Sequence, residues 1–199
     1  MSDQQIDSGK RTWLIASSCA GAVGAVGAAV PFVGSFAPSE RARAAGAAVE
    51  ADISGLKPGQ MMTVEWRGKP VWIVKRTPEQ VAELPKNDAL LADPKSLRKP
   101  DELTPPYARN EARSIKPEIL VVVGICSHLG CSPIDKFTAG AQASLPDNWP
   151  GGFLCPCHGS TFDMAARVYK DKPAPDNLEV PPHMYLSDSR ILIGEDKKA

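Results

Sequence analysis

The 199-residue chain lacks a net charge: 23 Lys and Arg stand against 23 Asp and Glu. That balance makes no electrostatic case for a nucleic-acid partner. Aromatic side chains are scarce, at 6%, so the core has to be built from aliphatic residues. No internal repeat is visible, which excludes a solenoid or propeller. With 16 glycines and 19 prolines the chain is not poor enough in core residues to be disordered, but it must turn often. Histidine and cysteine are rare, at three and five residues, so where they sit carries information. The most telling absence is local. No Asp, Glu, Lys or Arg lies between Arg11 and Glu40.

Inside that gap, Trp13 to Val33 is an apolar run of 21 residues broken only by Ser17, Ser18, Cys19 and small residues. As a helix it would span roughly 32 Å, enough to cross a hydrocarbon core of about 30 Å. Gly21, Gly24, Gly27 and many alanines make a poor free helix in water, yet in lipid small residues let another helix come close. We read residues 12–35 as one transmembrane helix that packs against partner helices. A cleaved secretory signal usually has a shorter apolar region. Ile15-Ala16-Ser17-Ser18-Cys19 faintly matches a lipoprotein cleavage site, without the usual leucine three residues before the cysteine. A buried core helix would be shorter and more interrupted. Within residues 1–11, expected to be a cytoplasmic N-terminus, Gly9-Lys10-Arg11-Thr12-Trp13-Leu14 looks like a twin-arginine export signal with lysine in place of the first arginine. Lys10 and Arg11 before the run, and Arg41 and Arg43 after it, leave the positive-inside rule undecided.

Residues 36–52 read as a linker. The stretch from Ser39 to Asp52 is alanine-rich and lightly charged, with no continuous apolar face. Helix and coil differ little in energy there, and Gly46 weakens the helix. It is either a plain spacer or a hinge that lets the following domain move. Residues 53–199 then form a mainly β head domain. Met62–Arg67 and Val71–Lys75 flank Gly68-Lys69-Pro70 as a hairpin. Thr77-Pro78-Glu79-Gln80 supplies an N-cap, a proline at the first helical position and a glutamine at the third, so a short helix is expected through Leu84. Residues 85–117 are polar and proline-rich, an excursion with little core. Ile119–Val123 is the continuous apolar run of a strand covered on both faces. Further short strands are expected at Gly152–Leu154, Arg167–Tyr169, His183–Leu186 and Arg190–Ile193, the last two joined at Ser187-Asp188-Ser189.

Four of the five cysteines and two of the three histidines fall in two segments, Cys126-Ser127-His128-Leu129-Gly130-Cys131 and Cys155-Pro156-Cys157-His158-Gly159-Ser160. Each follows an apolar strand and is rich in turn residues, as a surface loop on a rigid scaffold would be. Buried structural thiols and satisfied histidines need no such clustering. Two metal readings remain. Zinc would take four of the six donors in a tetrahedron, but zinc ribbons usually use two Cys-x-x-Cys knuckles, and neither loop has one. Cys-x-His paired with Cys-x-x-His is instead the ligand spacing of a Rieske [2Fe–2S] centre. It would place Cys126 and Cys155 on one iron, and His128 and His158 on the other. Two thiolates and two neutral imidazoles leave the oxidised cluster formally neutral, where four thiolates leave it dianionic. An electron is then easier to add, at roughly −150 to +300 mV. A second ring nitrogen facing solvent can carry a proton, so the site can take an electron and a proton together. Cys131 and Cys157 are each in register with a ligand loop, and a disulfide between them is expected to tie the loops together. Closing that loop would stabilise the fold by roughly 3 kcal/mol. A structural disulfide implies an oxidising compartment, which puts the head outside the cytoplasm. Cys19 is a lone thiol in the apolar run.

At these residues the chain closely resembles the Rieske iron–sulfur subunits of ubiquinol–cytochrome c reductases. The resemblance covers nearly the whole chain. It includes the apolar anchor, Trp66-Arg67-Gly68-Lys69-Pro70, both cysteine loops, and Pro173-Ala174-Pro175 followed by Asn177-Leu178-Glu179-Val180-Pro181. It implies a Rieske-type antiparallel β-sandwich head of three sheet layers, with a small cluster-binding subdomain over about 125–182. It implies one [2Fe–2S] cluster. It also implies that His158 hydrogen-bonds ubiquinol at a site on a cytochrome b subunit, with Leu129 and Gly130 nearby. The head would pass the electron to cytochrome c1 after swinging about the linker. Pro173–Pro175 would cover the cluster from a third side. The assembly implied is a dimeric multi-subunit complex in a bacterial inner membrane, with a single span and the head on the periplasmic side.

The chain departs from the family pattern in places. In many members the second loop continues Gly-Ser-x-Tyr, with serine and tyrosine hydroxyls donating to cluster sulfurs. Here Ser160 is present but Phe162 stands at the tyrosine position. One donor fewer stabilises the reduced, more negative cluster less, so a lower potential is expected than in a tyrosine-bearing relative. The glycine that usually precedes Pro-Ala-Pro is Lys172, and Phe137–Asn148 is longer than in the mitochondrial form. Two other readings compete: the Rieske subunit of another periplasmic oxidoreductase such as arsenite oxidase, and a zinc-stabilised envelope domain with no redox role.

Overall fold

The computed structural model describes residues 7–40 and 46–196. The chain divides into two compact units, 1–44 and 45–199.

The first unit is dominated by helix α1, Ser8–Gly34. Its start has a physical cause: the Asp7 carboxylate accepts the free amides of Gly9 and Lys10, each at 3.1 Å. At 27 residues it runs about 40 Å, and Pro31 near its end is the only proline inside it. It begins earlier than the span expected over 12–35, because polar Ser8–Arg11 extend the same helix outward. None of its side chains is buried within the chain, although Trp13, Leu14, Val23 and Val30 are large and apolar. By length and composition it can cross a membrane.

The second unit is mainly β. Strands β2 (Gln60–Trp66), β3 (Lys69–Lys75) and β4 (Ile119–Val123) form one antiparallel sheet in that order. A second sheet has the order β1 (Val49–Asp52), β9 (Arg190–Ile193), β8 (His183–Ser187). The third is β5 (Ile134–Lys136), β6 (Gly152–Leu154), β7 (Thr161–Phe162). The alternation of side chains along β3 and β4 explains the layering. Trp72, Val74, Leu120 and Val122 enter one apolar cluster together with Phe153 and Phe162 of the third sheet. Val71, Ile73, Ile119, Val121 and Val123 enter the other, with Ala51, Ile191 and Ile193 of the second sheet. The β2–β3–β4 sheet is thus the middle layer, and β4 is apolar throughout because both its faces are covered.

The β2–β3 turn is tighter than the expected Gly68-Lys69-Pro70 loop. Arg67 and Gly68 both take positive φ, 52° and 71°, and Lys69 and Pro70 already pair in β3. Helix α2 (Pro78–Glu83) carries the expected capping box, with Thr77 and Gln80 satisfying each other's amides. The Arg167–Tyr169 stretch makes only isolated bridges, Phe162↔Val168 and Leu91↔Tyr169. Strand β1 occupies the end of the segment read as linker, because Val49–Asp52 finds a partner edge on β9. Residues 41–45 of that segment lie outside the described residues.

The expectation of little core in 85–117 is corrected. Leu91 and Ala108 are buried there, as is Arg113. Three short elements punctuate the stretch: a 3-10 helix at Leu84–Leu90, α3 (Pro100–Leu103) and a 3-10 turn at Pro106–Ala108. Arg113 donates to the carbonyls of Ala165 and Ala166 at 3.1 Å, to that of Leu178 at 2.6 Å, and to Thr104 Oγ1 at 2.9 Å. Arg76 donates to the carbonyls of Ala112 and Met164 at 2.9 and 3.0 Å, and to Ser114 Oγ at 2.7 Å. Burial pushes both guanidinium groups down to about 10, so they stay charged at neutral pH. Arg167, also fully buried, pairs with Asp163 at 2.7 Å and with Asp88 at 2.7 Å. Burial alone would lower Arg167, but the two carboxylates outweigh it and hold it above the usual arginine value. Three polar side chains therefore pin the irregular chain where no ladder is available to satisfy its carbonyls.

Candidate metal centre

The two cysteine loops leave the ends of two strands and have the same backbone. In the first, Cys126 N–H donates to the Cys131 carbonyl at 2.8 Å, and Gly130 N–H returns to the Cys126 carbonyl at 3.1 Å. In the second, Cys155 N–H donates to the Ser160 carbonyl at 2.7 Å, and Gly159 N–H returns to Cys155 at 3.0 Å. Each loop closes on a glycine at positive φ, 82° for Gly130 and 75° for Gly159, where a β-carbon would be strained. The match places the leading cysteine of each loop at the inner end, against the core.

Cys126 and Cys155 are buried and unbonded, and both belong to the apolar cluster under the third sheet. His128 is half-buried and His158 exposed. Their rings meet edge to face, with centroids 4.8 Å apart. Cys131 and Cys157 form a disulfide that joins the loops. The sulfur of Cys155 lies within 4.8 Å of both disulfide sulfurs. Those two sulfurs are spent in a covalent bond and offer no thiolate, so the donors left are Cys126, Cys155, His128 and His158.

Burial pushes the Cys126 thiol up, and the neighbouring Cys155 sulfur adds to this. The His128 backbone amide and the Ser160 hydroxyl act the other way, as donors to the same sulfur. Ser160 is fully buried, and its oxygen accepts the Ala174 amide at 2.9 Å. Phe162 is fully buried in the cluster that holds the buried free cysteines Cys126 and Cys155, and it brings no hydroxyl to it. On the open side, Leu129 is 72% exposed at the tip of the first loop.

A third wall was only partly visible in the sequence. The Pro173–Asn177 segment touches both loops, through Ala174 to Ser160 and through Asp176 to Ser127. Ser127 Oγ donates to the Asp176 carbonyl at 2.6 Å and accepts the Asp176 amide at 3.3 Å. Sequence reasoning missed Ser127. Its position between two proposed metal donors was the only available signal.

The profile described as Rieske [2Fe-2S] domain matches residues 47–182. The chain belongs to the Rieske [2Fe-2S] domain family. A curated relative, the ubiquinol-cytochrome c reductase iron-sulfur subunit of Allochromatium vinosum, is 57% identical over 198 residues, 99% of this chain and 94% of that one. The protein of the same name from Rhodospirillum rubrum is 40% identical over 189 residues, 94% of this chain and 93% of that one. A chain of a solved hyperthermophilic respiratory Complex III aligns with a TM-score of 0.46 at 26% identity, covering 89% of this chain and 97% of that one. The cofactor of this Rieske chain is one [2Fe–2S] cluster. Its donors fit such a group: two adjacent free thiols face inward, two imidazoles face outward, and no second pair of free cysteines is present among the described residues for a four-thiolate cluster.

Proposed function

We propose that this chain is the membrane-anchored iron–sulfur subunit of a ubiquinol–cytochrome c reductase. The observation that carries the reading is the donor arrangement: two imidazoles at an open tip above two buried thiols. Full-length identity of 57% to a relative of that name supports the complex it serves, and an assignment to another oxidoreductase such as arsenite oxidase is not favoured.

Cys126 and Cys155 would hold one iron, and His128 and His158 would hold the other. When bound, the cluster supplies a one-electron acceptor at roughly −150 to +300 mV. The residues around it do the rest. Exposed His158 offers its second ring nitrogen to a quinol hydroxyl, accepts that hydrogen bond and holds the proton. Leu129 and Gly130 give the tip an apolar rim that can close against a quinol pocket and exclude water. Ser160, whose oxygen is fixed by the Ala174 amide, has its proton free for the Cys126 sulfur beside it. The partners are a cytochrome b subunit that presents ubiquinol and a cytochrome c1 subunit that accepts the electron, in a dimeric complex. Helix α1 spans the bacterial inner membrane. The disulfide requires an oxidising compartment, so the head faces the periplasm.

The test is metal and sulfide analysis of the full chain, with electron paramagnetic resonance after reduction. About two irons and two sulfides per chain and a Rieske-type signal are expected. Zinc, or no metal in folded protein, would sink the reading. Co-purification with haem b and haem c proteins tests the complex.

Phe162→Tyr gives a sharper check of the site. The new hydroxyl would enter the apolar cluster beside the free cysteines and donate to sulfur. A charge-assisted hydrogen bond of about 1.5 kcal/mol corresponds to a rise of about 60 mV in a one-electron midpoint. A redox titration that shows an unchanged or lower midpoint refutes this.

A further inference from the structure

The 93–99 turn lies far from both cysteine loops in sequence, within the polar, proline-rich stretch 85–117. In the fold it grips the back of the proline segment. Arg98 Nη1 donates to the Pro175 carbonyl at 2.9 Å. Lys99 Nζ pairs with Asp176 Oδ2 at 2.9 Å. The Asn177 amide donates to the Asp93 carbonyl at 2.9 Å and to Ser96 Oγ at 3.2 Å, while its oxygen accepts the Val168 amide at 2.9 Å.

The turn is built for one shape. The buried Asp93 carboxylate accepts the amides of Leu97 and Arg98 at 2.9 and 3.0 Å. Ser96 and Lys99 take φ of 53° and 45°, a left-handed conformation that side chains other than glycine rarely adopt. Such strain persists only where the surroundings over-determine it. Here the surroundings are the contacts to residues 175–177.

Residue 176 is therefore held from two sides. Its side chain is drawn to Lys99, and its backbone holds Ser127 between Cys126 and His128. Two residues earlier, the Ala174 amide fixes the Ser160 hydroxyl. We propose that the Asp93–Lys99 turn is a brace that positions the proline segment, and through it Ser127 and Ser160, against the metal centre. Asp93, Lys99 and Asn177 are positioning residues that tune the reduction potential without touching the cluster.

The reasoning is electrostatic. The Ala174 amide occupies a lone pair of Ser160 and so leaves the serine proton free for sulfur. Loosening the segment releases that orientation, and a sulfur that loses its donor favours the less negative, oxidised state. The inference rests on the ligand assignment proposed above, and the experiment separates the two.

The variants Asp93→Ala, Lys99→Met and Lys99→Arg are made in the full chain, with Lys116→Met as a control. Lys116 pairs with exposed Asp188 at 2.8 Å on the β8–β9 turn. In Asp93→Ala, hydrogen exchange over 173–178 should quicken at least about tenfold. The reduction equilibrium should shift about tenfold toward the oxidised form, a midpoint lower by about 59 mV. Lys99→Met should shift it about threefold in the same direction, Lys99→Arg should restore it, and Lys116→Met should change neither quantity. Should Asp93→Ala fail to hold a cluster, the two Lys99 variants decide. Unchanged exchange at 173–178 overturns the brace. So does faster exchange with an unmoved or raised midpoint, because the turn would then serve the fold alone. Wild-type protein without a [2Fe–2S] signal would instead sink the ligand assignment.

Discussion

Replacing Cys131 and Cys157 together by serine is expected to cost roughly 2–5 kcal/mol of head stability. That lowers the melting temperature by roughly 4–20 °C for a domain of this size. The bond spans 26 residues, and among the described residues it is the only covalent tie between the loops. Its effect reaches further than chain entropy. Cys157 lies between the proposed donors Cys155 and His158, and the Cys131 carbonyl accepts the Cys126 amide at 2.8 Å. Each half of the bond thus sits one step from a proposed metal donor. Without it the loops keep only non-covalent ties: the His128–His158 ring contact, the approach of Ser160 and Cys155 to the Cys126 sulfur, and the proline segment held by Ser127 and Ser160. Iron and sulfide content per folded chain should fall along with the melting temperature. A double variant that keeps a full cluster and melts within a degree or two of wild type would show the bond to be dispensable.

Arg167→Met should be as damaging, for a different reason. Arg167 Nε and Nη2 both donate to Asp163 Oδ2, at 2.9 and 2.7 Å. Both side chains are fully buried. Asp163 Oδ1 in turn accepts the amides of Ala165 and Arg167 at 2.9 Å, shaping the turn that follows β7. Removing the arginine strands a buried carboxylate, and breaking such a pair costs about 3–5 kcal/mol. Arg167 also donates to the carbonyls of Leu84 and Pro94, at 2.7 and 3.2 Å, which would lose their partner. A loss of roughly 6–20 °C in melting temperature is expected. Asp163→Ala combined with Arg167→Met should be less damaging than the sum of the single changes, because the double variant leaves no fully buried charge unpaired, Asp88 being partly exposed to solvent. Additive losses would show that the two groups act separately.

These two sites differ in how far they could be read in advance. The two cysteine–histidine loops were legible as one unit because their residue types are rare and clustered, and the fold does bring the loops together. The apolar run before Glu40 was legible because a bilayer sets the length of helix it accepts. The run at Ile119–Val123 was legible because a strand covered on both faces has no polar side. Thr77 and Gln80 were legible because a capping box is local. Arg76, Arg113 and Arg167 gave no such sign. A buried arginine looks like any surface arginine until the carbonyls it serves are known, and those lie 36 to 88 residues away for Arg76 alone. Val49–Asp52 carries no strand signal in the sequence because four residues show no period, and only the β9 edge makes them a strand.

By itself the sequence determined the chemical inventory: which residue types are offered as metal donors, which cysteines remain for a covalent tie, and which segment suits lipid. These depend on residue type and short spacing, and both survive without a fold. The tertiary structure alone decided what surrounds that chemistry: the shared backbone of the two loops, the grip of Ser127 on Asp176, and the turn at 93–99 behind it. Such contacts join residues far apart in the chain. They arise only when packing brings a donor within about 3 Å of an acceptor it could not otherwise meet.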